Sequence, residues 1–226
     1  MSVLARSELT QACAPALRTT LLQAGQVHHY PDQSYLCHFG DPLPDLLLLL
    51  EGNLEASRVG MGGKRHVVAY LRVGQIFGLL TVFDRKGAPQ DIRCHGAATV
   101  LRIPMDVVRR LCAESPELQH AVLALICERN RALYDAMSAH VLLSLQARTA
   151  FALLWAVSVH GITPGNRQVL NLAISQTAIA DHLGVARQSV NRELKVMERE
   201  GMLRLGKAQI EILDLASLQH VAAGGE

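Results

Sequence analysis

The chain has 226 residues, half of them hydrophobic and only 4% aromatic, with a net charge of +2. This is enough for one large or two small domains with a core of Leu, Val, Ile and Ala. The near-neutral average neither favours nor excludes nucleic acid, because a binder of DNA needs a local basic face rather than a basic mean. No apolar run is long enough to span a membrane. The start of the chain, with Arg6 and Glu8, lacks the apolar core of a secretion signal, so a cytoplasmic location is expected. The cysteines Cys13, Cys37, Cys94, Cys112 and Cys127 are odd in number, scattered and without CxxC spacing. That pattern reads as buried reduced thiols rather than a disulfide framework or a zinc site.

From about Leu21 to Ile103, short apolar runs alternate with glycines and turn signals such as Gly40-Asp41-Pro42 and Gly62-Gly63-Lys64. Strand-length segments Leu46–Leu50, His66–Leu71 and Thr99–Ile103 fall between them. A small antiparallel β-barrel or roll is predicted. The texture then changes, and no glycine occurs between Ala97 and Val159. Ser115 and Pro116 suit the N-cap and first position of a helix. Beyond them Leu118, Val122, Leu125, Ala132 and Ala139 recur at heptad-like spacing, with Ile126, Leu133, Met137 and Val141 beside them. The bland reading is a helix packed on its own barrel. The alternative is a dimer helix, which the length of the run favours, because a small barrel cannot cover the whole stripe. Another helix over about Gln146–His160 follows a hinge near Ser144, and Gly161–Asn166 breaks it. The predicted division is 1–103 for the roll and its short leading helices, 104–143 for the linker and long helix, and 144–226 for a C-terminal domain. The last five residues are expected to fray.

Ser175 suits the N-cap of a helix over Gln176–Leu183, Gly184 supplies a turn, and a second helix runs from about Ala186 to Glu200. Two short helices joined through a tight glycine turn form the helix-turn-helix pattern. Val190, Leu194 and Met197 make one apolar stripe on the second helix. Arg187, Gln188, Asn191, Arg192 and Lys195 make another that is polar, long-armed and net positive. Arginine suits guanine, glutamine and asparagine suit adenine, and lysine suits phosphate. Ser189, with Ser175 and Gln176 at the start of the first helix, completes the candidate DNA face, because helix N-termini favour phosphate. Leu203–Leu205 and Ile210–Leu213 flank Gly206-Lys207 as a hairpin, which places Lys207 at the tip of a wing.

Two stretches resemble the family of cyclic-AMP receptor proteins and fumarate–nitrate regulators (Crp/Fnr). One is VHHYPDQSYLCHFGDPLPDLLLLLEGNLEA with LRVGQIFGLLTVF, in which Gly40, Gly52, Gly74 and Gly78 stand where roll glycines are expected. The other is SQTAIADHLGVARQSVNRELKVMEREGMLRLGKAQIEIL. With the helix between them, the resemblance covers roughly residues 20–213. It implies an α+β chain: an N-terminal double-stranded β-helix of the cyclic-nucleotide-binding jelly-roll type, a long dimerisation helix, and a C-terminal winged helix-turn-helix. It further implies a bacterial homodimer bound to double-stranded DNA, with RNA polymerase as protein partner and no enzymatic activity. The dimer helix would use Leu118, Val122, Leu125, Ile126, Leu133 and Met137. Arg187 and Arg192 match the family's base-contacting arginines, and Gln188 stands where many members have Glu.

The family's effector pocket is not matched. Leu79 stands where cyclic-AMP members hold the ribose with Glu. Ala88-Pro89-Gln90-Asp91 replaces the Arg-Ser pair that takes the phosphate, and Asp91 would repel it. Leu133 and Tyr134 replace small hydroxyl residues on the long helix. These departures argue against cAMP and leave an apolar candidate pocket of Gly78, Leu79, Leu80, Asp91, Leu133 and Tyr134, filled by side chains or holding an unknown ligand. An iron–sulfur cluster would need an N-terminal cysteine group, and only Cys13 is there. Haem stays open without a motif, because Leu80 replaces the expected His, while His28, His29, His38, His66 and His95 are dispersed. A metal-dependent barrel enzyme would need a His-x-His pair, which the adjacent His28 and His29 do not provide.

Overall fold

The computed structural model describes residues 7, 15–63, 65–160, 170–172, 175–206 and 209–225. The chain divides into two compact units, one of residues 1–58 with 68–132 and the other of residues 59–67 with 133–226. Along the chain, α1 (Pro15–Ala24) leads into β1 (Gln26–Tyr30), β2 (Tyr35–Cys37), β3 (Asp45–Glu51), β4 (Leu54–Val59), β5 (Arg65–Leu71) and β6 (Ile76–Phe77). The short α2 (Leu79–Asp84), β7 (Asp91–Cys94), β8 (Ala98–Pro104) and α3 (Met105–Glu114) follow. The strands form two four-stranded sheets, ordered β1-β8-β3-β6 and β2-β7-β4-β5. Successive strands alternate between sheets except for β4 and β5, which are neighbours in one, as in a jelly roll.

The strand patterns explain this layout. β3 reads Asp-Leu-Leu-Leu-Leu-Leu-Glu, and Leu46–Leu49 are all buried, on both faces of the strand. An apolar run without alternation marks a strand covered on both sides. It pairs with β8 in the register Leu46↔Ile103 to Leu49↔Val100, and α3 lies against both strands. β4 and β7 instead alternate. Leu54, Ala56, Ile92 and Cys94 enter the core, while Glu55 faces Arg93 across the pair and joins it in a 3.3 Å ion pair. At the β3–β4 turn, Gly52 has φ 81°, and a Cβ there would lie 2.2 Å from the Ala97 carbonyl oxygen. Only glycine fits both the left-handed backbone and the close approach.

The long helix α4 runs Pro116–Leu142, 27 residues, or about 40 Å. The Ser115 hydroxyl accepts the Leu118 amide at 3.3 Å, as expected of its N-cap. The seam expected on this helix is divided between two environments. Leu118 and Val122 are completely buried in the roll's own core, and Leu125 and Ile126 pack partly against it. Within the single chain, Leu118 and Val122 thus face the roll, and Leu125 and Ile126 stay half-buried. The first turns of the helix satisfy their apolar face within the chain. The exposed stripe lies further along, at Leu133, Tyr134, Met137, Val141 and Leu142.

Cys37, Cys94 and Cys112 are buried thiols, and Cys127 is exposed. Burial pushes the Cys37 thiol up to about 11 and raises that of Cys94 as well, so both stay protonated and unreactive near neutral pH. Cys13 lies outside the described residues.

The second unit holds α5 (Leu145–His160), β9 (Leu170–Leu172), α6 (Gln176–Leu183), α7 (Arg187–Arg199), β10 (Leu203–Leu205), β11 (Ile210–Ile212) and α8 (Leu215–Ala222). Its core gathers Ala150, Leu153, Ile179, Val190, Leu194, Met197, Leu203, Ile210 and Leu218. Two of these elements were not expected from sequence. β9 joins the hairpin as a third strand, giving the order β10-β11-β9. α8 packs on α5, with Asp214 as N-cap accepting the Ser217 amide at 3.0 Å. The cap Asp214 and the spacing of Leu215, Leu218 and Val221 were its available signal.

Candidate nucleic-acid interface

The helix pair α6–α7 is set by local chemistry. Ser175 caps α6 by accepting the Ala178 amide at 3.1 Å. Gly184 ends the helix with φ 69°, a conformation that glycine adopts without a Cβ penalty. Ala186 then leads into α7. On α7, Val190, Leu194 and Met197 have no exposed surface. That anchors one side of the helix and leaves the other free.

The free side carries the residues singled out from the sequence. Arg187, Gln188, Arg192 and Lys195 are exposed, and Ser189 and Asn191 are half-buried. Ala186, Arg187, Gln188 and Asn191 line a surface concavity of about 460 Å³. Among the described residues, Arg187, Arg192 and Lys195 make no ion pair. Of the acids on α7, Glu198 turns away and accepts the Leu205 amide at 2.7 Å, which ties the helix to strand β10. Unpaired cations and amides on one helix face suit base edges and phosphates. Ser175 is exposed and Gln176 half-buried at the start of α6. The wing is closed by the Arg204–Glu211 pair across β10 and β11 at 2.7 Å and by the Gly206 amide bonded to Gln209 O at 2.9 Å. Lys207, expected at its tip, lies outside the described residues.

Residues 139–221 match the Crp-like helix-turn-helix domain and residues 27–115 the cyclic nucleotide-binding domain. The chain belongs to the Crp/Fnr family of transcription regulators. It is 22% identical over 212 residues to a CRP-like cAMP-activated global transcriptional regulator of Mycobacterium tuberculosis, covering 94% of this chain and 95% of the relative. It is 25% identical over 218 residues to a cyclic AMP receptor protein of Thermus thermophilus, covering 96% and 98%. Its fold resembles that of a CRP/FNR-family transcriptional regulator from Thermus thermophilus, with a TM-score of 0.75 at 20% identity over 88% of this chain and 98% of that one. This Crp/Fnr protein is thus a DNA-binding transcription regulator, and the relatives it matches are regulators rather than enzymes. Among the described residues, no helix is long and apolar enough to cross a membrane.

Of the candidate effector residues of this Crp/Fnr regulator, Gly78, Leu79, Leu80 and Asp91 belong to the first unit and Leu133 and Tyr134 to the second. Leu79 is buried in the roll core, whereas Leu80 is 49% exposed. A Cβ at Gly78 would meet the Leu43 side chain at 2.9 Å. The Asp91 carboxylate is engaged locally, accepting the Phe39 amide at 2.8 Å with the His38 ring 3.6 Å away. Leu133 and Tyr134 are exposed positions of the other unit. His29 Nδ1 meets the Thr99 hydroxyl at 3.0 Å. No group of three His, Cys, Asp or Glu comes together among the described residues.

One titration belongs to the reading unit. His182, in the last turn of α6, is held below its ordinary value of 6.5 by burial. Folding therefore opposes its protonation. As pH falls through about 6.5, the unfolded chain takes up a proton that the folded one resists, so stability is lost on the acid side and full above it. Thermal melts at pH 7.5 and 5.5 should show a drop in the second unit that is smaller in His182→Gln. Equal drops in both proteins would contradict this assignment.

Proposed function

We propose that the regulator acts as a homodimer whose two copies of α7 read a two-fold symmetric DNA site, with RNA polymerase as the protein partner. One observation carries the reading: a helix whose apolar stripe is wholly buried while Arg187, Gln188, Arg192 and Lys195 stand exposed and uncompensated. Arg187 and Arg192 take base edges, Asn191 and Gln188 add amide contacts, and Lys195 neutralises phosphate. Ser189, Ser175, Gln176 and Lys207 contribute backbone contacts around them. The exposed stripe of Leu133, Met137 and Val141 supplies the surface for the second copy, since a row of this kind on a long helix is stabilised by burial against another. Half-sites would then sit about one helical turn apart.

The roll biases this reading through a signal other than cAMP. Two relatives are named for cAMP, but here the ribose position is a core leucine and the phosphate position is an engaged carboxylate. No residue pattern favours haem or a metal ion over an unknown ligand.

Selection of bound sites from random DNA tests the reading at one residue. Gln188 favours adenine, whereas a glutamate accepts from cytosine N4. The Gln188→Glu variant should enrich a site changed at one position in each half. An unchanged preference would remove Gln188 from the reading face.

A further inference from the structure

Leu183 is the last residue of α6, and its carbonyl is among those at a helix C-terminus left without an intrahelical donor. The Gly184 and Val185 amides both return to Ala180 O, three residues before Leu183. Leu183 O instead receives Arg148 Nη2 at 3.0 Å. Arg148 stands in the first turn of α5. That turn is itself fixed by Ser144, whose hydroxyl accepts the Ala147 amide at 3.1 Å and whose carbonyl accepts the Arg148 amide at 3.0 Å. Ala147 and Ala150 beside it are buried, so the helix is seated firmly and its guanidinium has a defined origin. The carbonyl end of a helix carries partial negative charge, which a cation satisfies. His182 in the same turn is held toward its neutral form by burial. Three residues beyond the bonded carbonyl, at Ala186, the chain enters the recognition helix.

We infer that Arg148 is a positioning residue for DNA recognition: from α5 it holds the turn between α6 and α7, and so the direction of α7, without touching DNA itself. The inference rests on the reading of α7 as the recognition helix. It also gives the segment beginning at Ser144 a route to the reading head, since displacement of the start of α5 moves the donor that fixes the turn.

The test uses the full chain, its selected duplex and a scrambled duplex of the same length. Arg148→Met keeps the aliphatic stem and removes the donor. It should weaken binding to the selected duplex by about tenfold or more. Binding to the scrambled duplex and the salt dependence should not change. Arg148→Lys should restore part of the loss, because an ammonium can donate to the same carbonyl. Equal losses on both duplexes, with the salt slope reduced by about 0.9 per phosphate contact, would make Arg148 a DNA contact and overturn the inference. If Arg148→Met melts below the assay temperature, the same comparison is made with Arg148→Lys, where a selective loss supports positioning and an equal loss overturns it. A wild-type chain that cannot tell the duplexes apart overturns the underlying reading. A wild type that can, beside an indistinguishable Arg148→Met, overturns the inference alone.

Discussion

Replacing Arg192 by Ala is expected to abolish most sequence discrimination while leaving the fold intact. Arg192 is exposed on α7 and makes no ion pair among the described residues, so its removal leaves no orphaned partner. A bidentate arginine–guanine contact contributes about 1–3 kcal/mol of discrimination, and a symmetric dimer loses two of them. Affinity for the selected site should fall by roughly thirtyfold to more than a thousandfold. Non-specific binding should change little, because it depends on phosphate neutralisation. The same substitution at Lys195 should behave differently, with a near-uniform loss across sequences and a shallower salt dependence. Equilibrium titrations of both variants on selected and scrambled duplexes at two salt concentrations check this. An Arg192→Ala protein that keeps its preference would remove this residue from the base-reading set.

The second large effect is on stability. Leu194 is on the same helix but has no exposed surface, and it lies in the core with Leu153, Ile179, Leu203 and Ile210. Truncating a fully buried leucine costs about 2–5 kcal/mol through lost burial and the cavity left behind. A small domain is stable by only about 5–15 kcal/mol. Leu194→Ala should therefore lower the melting temperature of the second unit by roughly 10–30 °C, while the transition of the roll stays in place. Calorimetry of the full chain resolves the two. A shift of only a degree or two would mean that Leu194 does not anchor the helix. The contrast with Arg192, two residues away, follows from 100° of rotation per residue: one side chain faces the core and the other faces solvent.

The reading helix was legible because every signal there is local. Ser175 as a cap, Gly184 as a left-handed turn and the Val190–Leu194–Met197 spacing each depend on near neighbours in the chain. The roll was legible for a related reason, since β3 and β8 carry their own burial pattern. Less could be read where the outcome depends on distant partners. Leu118 and Leu133 share one heptad-like pattern, yet the first is buried in the roll and the second is exposed. Periodicity reports that a face is apolar but not what covers it. That the Asp91 carboxylate accepts the Phe39 amide, 52 positions away, is likewise invisible to its position in the chain. Strand β9 has three residues and pairs with β11, so its existence is a tertiary fact. Helix α8 was overlooked beside a glycine-rich end, although Asp214 marks its start.

The central claim is that α7 reads sequence through an unpaired basic and amide face. The most direct measurement is a titration of the full wild-type chain against its selected duplex and a scrambled one at moderate and raised salt. Specific affinity should lie at least about a thousandfold above non-specific, with a two-fold symmetric site recovered in the selection. Equal affinity for both duplexes, falling together as salt rises, would contradict it.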